Sequence, residues 1–343
     1  MNPVLVEVLR GGVVESRHRG AAVIVDAAGQ TVFTVGDVTR PVFPRSAVKP
    51  LQALPLVAGG AADRFGFEAA EIALACGSHG GAPAHVAVAL AMLTKCGSTA
   101  ADLECGAHWP LDEAATRDLA GRGEQPTALH NNCSGKHAGF VAVARARGID
   151  PTGYGQPDHP IMRDVTAVLG DVTATRIAEA PMGVDGCSIP AFALPLEALA
   201  RGFARFGTGV GLPADLATAA GRIRAAIAAA PRMIAGDGRF DTDVAACGGG
   251  VLTKSGAEGV ACAMVPALGL GVAVKIDDGA GRAAQVVMAT LLARLCSATG
   301  RGDALRAVCE RYGRSVLWNW NGLEVGALRP AADVPWSDVA TTG

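Results

Sequence analysis

One stretch, Ala128-Leu129-His130-Asn131-Asn132-Cys133-Ser134-Gly135-Lys136-His137-Ala138-Gly139, puts a thiol, an amine and two imidazoles within eight residues. Gly135 permits a turn that a bulkier residue would resist. Such a loop fills a core poorly and presents polar atoms well. A lone Cys or His is more often structural, but a cluster of ligating groups needs partners. A second polar loop, Ala178 to Pro190, sets Asp185 and Cys187 two residues apart around Gly186. A third, Cys76-Gly77-Ser78-His79-Gly80-Gly81-Ala82-Pro83, carries a serine and a histidine among small residues.

Ser46 and Lys49 stand three apart in Pro44-Arg45-Ser46-Ala47-Val48-Lys49-Pro50, so one helical turn sets them on one face. Pro50 fits early in that helix, where its missing donor costs least. Ser-x-x-Lys is the nucleophile signature of the penicillin-recognising serine hydrolases. A serine hydroxyl is a weak nucleophile and needs a base within hydrogen-bond reach, and a partly buried lysine can lose its proton and serve. Alone the motif is common by chance. Lys254-Ser255-Gly256, late in the chain, is close to the Lys-Thr-Gly strand motif that accompanies it.

The elements that must position these groups are built from small aliphatic residues. The 343 residues are 50% hydrophobic but only 4% aromatic, so the core is one of Ala, Val, Leu and Ile. Lys and Arg number 30 against 32 Asp and Glu, scattered along the chain, which gives no basic surface for nucleic acid and no acidic tail. The first residues lack a basic segment followed by a long apolar run. The most apolar window, Glu258 to Lys275, is broken by Pro266 and glycines and is too short to span a bilayer. Nine cysteines at irregular spacing, with no export signal, read as reduced thiols or metal ligands. A cytoplasmic protein without membrane or nucleic-acid partners is expected.

Val4–Leu9 alternates like a strand, and the runs 21–26 and 31–36 around a glycine-bearing turn read as an antiparallel hairpin. Helices are expected over 69–75, 84–94, 112–120, 138–147, 159–168, 216–230 and 283–297. Strands are expected at 251–256, 260–265, 268–276 and 322–328. Strands at both ends with helices between them predict an α+β fold, with one mixed antiparallel sheet from the two chain ends and helices packed on it. No linker or repeat divides residues 1–343, so a single domain is expected. His85, in an apolar helix, reads as structural, and His18 and His159 as surface or turn residues. His79 and His137 are candidates for proton transfer. Asp237, Asp241 and Asp243 suit either a cation loop or turn chemistry, with Arg239 beside them a candidate carboxylate anchor.

This arrangement resembles the serine β-lactamase and penicillin-binding-protein fold. Several segments resemble, more narrowly, the rhizobial-type (class 3, thermolabile) L-asparaginases. They are Pro44 to Pro50, Cys76 to His79, His130 to His137, Asp185 to Pro190, Gly238-Arg239-Phe240 and Lys254 to Gly259, and the resemblance runs from about residue 4 to 328. It implies hydrolysis of L-asparagine to L-aspartate and ammonia by a homodimer. Residue by residue, it implies Ser46 with Lys49 as one catalytic pair, Ser46 being preferred as nucleophile, and Ser78 with Lys254 as a second. It implies Cys133, Lys136 and Cys187 as ligands of a zinc ion, required or only stimulatory, with Asp185 holding a zinc-bound water. His137 and Arg45 would line the same substrate pocket. Many relatives carry Ser-Gly-Glu after the histidine of the Ser78 segment, where this chain has Gly80-Gly81-Ala82 and so no carboxylate. The alternatives are another serine amidohydrolase of this fold (glutaminase, β-lactamase or peptidase) and a non-enzymatic zinc-binding protein.

Overall fold

Both ends of the chain go into one sheet. A computed structural model describes residues 1–297 and 303–339. The strands are β1 (Val4–Arg10), β2 (Val13–Asp26), β3 (Thr31–Val35), β4 (Leu252–Gly256), β5 (Val260–Val265), β6 (Leu270–Ile276), β7 (Ser315–Trp318) and β8 (Glu324–Pro330). Their order is β7-β8-β1-β2-β6-β5-β4, with β3 paired to β2 off this path. Every pairing is antiparallel, including β1 with β8 (Val8 opposite Leu328) and β2 with β6 (Val23 opposite Ala273).

β2 is the spine of this sheet. Its first half pairs with β1 and its second half with both β3 and β6. Residues Gly20 to Val25 are all buried, as is every residue of β5, so these strands are covered on both faces and need no polar alternation. Helices Leu196–Thr208 and Gly281–Ser297 pack against them.

The chain forms two compact units. The first is residues 1–48, 193–211 and 247–343, and holds the sheet; the second is residues 49–192 and 212–246, and is helical. The centre of the second is the helix Ser134–Arg147, buried at every residue from Ser134 to Ala144. A helix buried all round must be wrapped by others. Helices Ala69–Ala75, Pro83–Lys95 and Pro160–Thr173 pack on it, and Ala214–Ala229 packs on Ala69–Ala75.

The expected α+β architecture, with its sheet from both chain ends, is the one found. Three local readings change. The helix expected from Ala138 begins at Ser134. Of Asp237, Asp241 and Asp243, expected on a loop or turn, the last two lie in the short helix Phe240–Ala246, which follows the helix Arg232–Ala235. His18 is a buried strand residue, its Nδ1 2.6 Å from Asp278 Oδ2, and not a surface one. Among the described residues, no helix is long and apolar enough to cross a membrane.

Candidate active site

The helical unit gathers Lys49, Ser78, Cys133, Lys136, His137, Asp185 and Cys187, while Arg45, Ser46 and Lys254 belong to the sheet unit. The helix Ser134–Arg147 explains much of the first set. Cys133 precedes its first residue, and Lys136 and His137 follow at the spacing that shares a helix face. Gly135 serves packing here and not a turn. A Cβ on it would lie 2.5 Å from the Leu74 carbonyl oxygen, so only glycine lets this helix seat against Ala69–Ala75.

Lys49 ties two loops together. Its Nζ donates to the Gly77 carbonyl at 2.7 Å and to the Asn132 carbonyl at 3.0 Å, one residue before Ser78 and one before Cys133. The His79 backbone N–H donates to the same Asn132 carbonyl at 3.3 Å. Lys49 is buried, and burial pushes its amine below the usual lysine range. Cys133 opposes that shift and Lys136 adds to it. The Cys133 side chain is a further hydrogen-bond partner of this amine and favours its charged form.

The Cys187 loop closes on the same helix. The Asp185 N–H donates to the Ile189 carbonyl at 2.8 Å, and Gly186 N–H donates to Asp185 Oδ1 at 2.8 Å, which makes the turn tight. Ser188 takes a left-handed φ of 74°, uncommon for a residue with a side chain. Lys136 Nζ lies 3.1 Å from Cys187 Sγ and 5.9 Å from the centre of the Phe140 ring. Cys133 and Cys187 share a hydrogen bond. The hydrogen bond from Cys187, helped by Lys49 and Lys136, holds Cys133 well below the usual thiol range, and the same bond pushes Cys187 up. Burial opposes a charge on Lys136, but Cys187 and Cys133 outweigh it and raise its pKa. The cluster therefore favours a thiolate at Cys133, a thiol at Cys187 and an ammonium at Lys136, beside a depressed amine.

The two buried sulfurs fit a borderline-soft cation such as zinc, which favours thiolate ligands. Lys136 fits only as a neutral amine, and the two sulfurs instead hold it as an ammonium. Binding would have to release that proton together with the remaining thiol proton. Among the described residues, no group of three or more His, Cys, Asp or Glu could hold a metal ion, Asp237, Asp241 and Asp243 included. Asp237 is taken by Arg232 in a two-pronged pair at 2.5 and 2.8 Å.

In the sheet unit, the turn Arg45–Val48 packs on β4, the strand that carries Lys254. A Cβ at Gly256 would lie 2.5 Å from the Pro44 carbonyl oxygen, so the glycine of Lys-Ser-Gly is what admits the turn. Arg45 holds a left-handed φ of 52° directly before Ser46. A non-glycine residue there costs of order 1–3 kcal/mol, a strain that tends to collect at functional sites. Lys254 is buried and its Nζ donates to the Ser255 carbonyl at 2.7 Å.

Several supporting residues escape a reading of the sequence. Asn131 is buried, accepts from the Cys133 N–H at 2.8 Å and donates to the Cys105 and Gly106 carbonyls at 2.8 and 3.1 Å. His108 Nε2 accepts from the Asn132 N–H at 2.9 Å. Tyr154 OH sits 2.6 Å from His137 Nδ1. Tyr154 is one of two tyrosines in the chain, and that scarcity was the only available signal. His79 offers less than its place beside Ser78 suggested. Its Nδ1 accepts from the Gly81 N–H at 3.1 Å, so its Nε2–H donates to Ser134 Oγ at 3.0 Å and both nitrogens are engaged. His85 is buried against it, rings 4.9 Å apart, in the structural role expected.

The chain matches a family of hydrolases acting on amides over residues 6–330. It belongs to the L-asparaginase II family. No curated protein matches it in sequence. Among solved structures it is similar to a β-lactamase from Mycobacterium bovis, at 16% identity over 85% of this chain and 94% of that chain, with a TM-score of 0.37.

Proposed function

We propose that the protein hydrolyses L-asparagine to L-aspartate and ammonia, with Ser46 as nucleophile and Lys49 as its base. The observation that carries this reading is Lys49: buried, depressed, with two carbonyls fixing its hydrogens, and three residues after a serine in a family of amide hydrolases. The Ser46 hydroxyl attacks the side-chain amide carbon as its proton passes to the Lys49 amine. The tetrahedral intermediate collapses, the C–N bond breaks, and the leaving nitrogen takes a proton to depart as ammonia. Water then attacks the ester, releasing aspartate and restoring the serine proton. Ser78 and Lys254 form the second pair in this reading, and Arg45, His137 and Asp185 bind substrate.

The subtype proposed is the rhizobial-type, class 3 enzyme. Its support is that Cys187, 51 residues after Lys136, converges with Lys136 and Cys133 in one buried cluster. In this reading these three residues hold a zinc ion. When bound, the ion would polarise and orient the substrate as a Lewis acid. Without it, Lys136 supplies the positive charge that balances the Cys133 thiolate. We further propose a cytoplasmic homodimer.

The test is ammonia release from L-asparagine, with zinc measured alongside, for the wild type, Ser46→Ala and Cys133→Ala. Ser46→Ala should lose on the order of 10³-fold or more in turnover, as nucleophile removals do, with zinc content unchanged. Cys133→Ala should lose zinc. A wild-type protein that releases no ammonia at any asparagine concentration overturns the assignment.

A further inference from the structure

The phenol of Tyr154 has its proton placed by elimination. The Glu104 backbone N–H donates to the Tyr154 oxygen at 2.8 Å, so in that contact the phenol accepts. Its own hydrogen then needs an acceptor, since Tyr154 is fully buried and an unmade bond there would be costly. The remaining polar neighbour is His137 Nδ1, at 2.6 Å. If Nδ1 carried a proton, two hydrogens would compete for one contact and the phenol would have nowhere to donate. The ring is therefore bare at Nδ1 and protonated at Nε2.

That Nε2–H has no hydrogen-bond partner among the described residues, although it is buried. The imidazole shares its helix face with Cys133, and Phe140 and Tyr154 hold it at centroid distances of 5.8 and 5.4 Å. The Tyr154 segment is itself pinned. Glu104 accepts from the backbone N–H groups of Gly153 and Gly155 at 2.6 and 3.0 Å, on either side of the tyrosine. Glu104 thus makes three hydrogen bonds here, one to the phenol and two to the backbone on either side of the tyrosine.

We propose that Tyr154 is a positioning residue that locks His137 in its Nε2–H tautomer, so that the imidazole presents a fixed donor to an oxygen of the bound amino-acid amide. The substrate part of this rests on the asparaginase reading; the tautomer does not. A buried N–H donor selects for an acceptor oxygen and against an ammonium, so it contributes to which end of the substrate enters this part of the pocket.

Two measurements test it. The first is a long-range ¹⁵N–¹H correlation spectrum of protein labelled in its seven histidines, with His137 assigned by its absence in His137→Gln. Wild type should show a bare Nδ1 and a protonated Nε2, and Tyr154→Phe should shift population toward Nδ1–H. The second is steady-state kinetics on asparagine. Tyr154→Phe should raise KM by about tenfold, the worth of one neutral hydrogen bond, with kcat changed much less. In the His137→Gln background, where an amide nitrogen replaces Nε2–H without any tautomer to set, Tyr154→Phe should change KM less than twofold. A wild-type His137 protonated at Nδ1 overturns the proposal, and so does a Tyr154→Phe effect that persists undiminished in the glutamine background. A wild-type enzyme inert to asparagine removes the substrate half, while the spectrum alone still decides the tautomer.

Discussion

A histidine whose two nitrogens are both committed becomes a liability in acid. His79 is held well below the ordinary histidine range by burial first, and then by the positive partners it would face, His85 and Lys49 among them. The unfolded chain takes up a proton near the ordinary value of 6.5, while the folded one does not. The unfolded state therefore binds more protons below that pH, and stability falls as pH drops from 6.5 toward the folded value. Above 6.5 neither state is protonated and the effect vanishes. Urea midpoints should fall between pH 7 and pH 5.5, and by less in His79→Gln; equal slopes in the two proteins would refute this. What could be read at this scale was chemistry carried by residue type. Cys133 and Cys187 stand out as thiols in polar loops and Lys136 as an amine beside the first, and the three do meet. Tyr154, Asn131 and His108 do not, because their roles exist only in hydrogen bonds to backbone and ring atoms distant along the chain.

At the level of elements, the helix Ser134–Arg147 depends on one missing methyl group. Gly135→Ala would push a Cβ to 2.5 Å from the Leu74 carbonyl, against backbone that cannot rotate away. The expected cost is about 1–3 kcal/mol of overpacking, seen as a lower midpoint in urea, together with loss of ammonia release as Cys133 and Lys136 shift. An unchanged midpoint would mean the two helices have room that the packing denies. The start of this helix was hard to read because Ser134-Gly135-Lys136-His137 has polar side chains and a glycine, the composition of a loop. Tertiary partners override that preference: His79 holds Ser134, Cys187 holds Lys136 and Tyr154 holds His137. Where local pattern and tertiary demand agree, the bounds were legible, as in helix Ala69–Ala75 and strand β5. Helix Leu196–Thr208 went the other way. Gly202 and Gly207 lower its propensity, although Leu196, Leu199, Phe203 and Phe206 are all buried on it.

Across the whole molecule, the sheet unit is assembled from three separate stretches of chain and the helical unit from two. The alternation of strands and helices made the α+β class legible, whereas this interleaving had no signal in composition, since no linker marks where the chain passes between units. A chain ending at Arg314 would lack β7 and β8 and leave the outer edge of β1 unpaired from Val6 to Arg10. Exposed edges recruit other strands, so this truncation should be found in the insoluble fraction; a soluble, monomeric product on gel filtration would refute that. The same pairing of first and last strands has a consequence for how the protein is made. A ribosome delivers the chain from its N-terminus at roughly 5–20 residues per second. Residues 49–246 therefore emerge complete while β1 still waits for Glu324–Pro330. The nascent helical unit can bury Cys133 and Cys187 early, but β1 stays unpaired on that edge until Glu324–Pro330 has emerged, so it is the strand that a chaperone would have to shield.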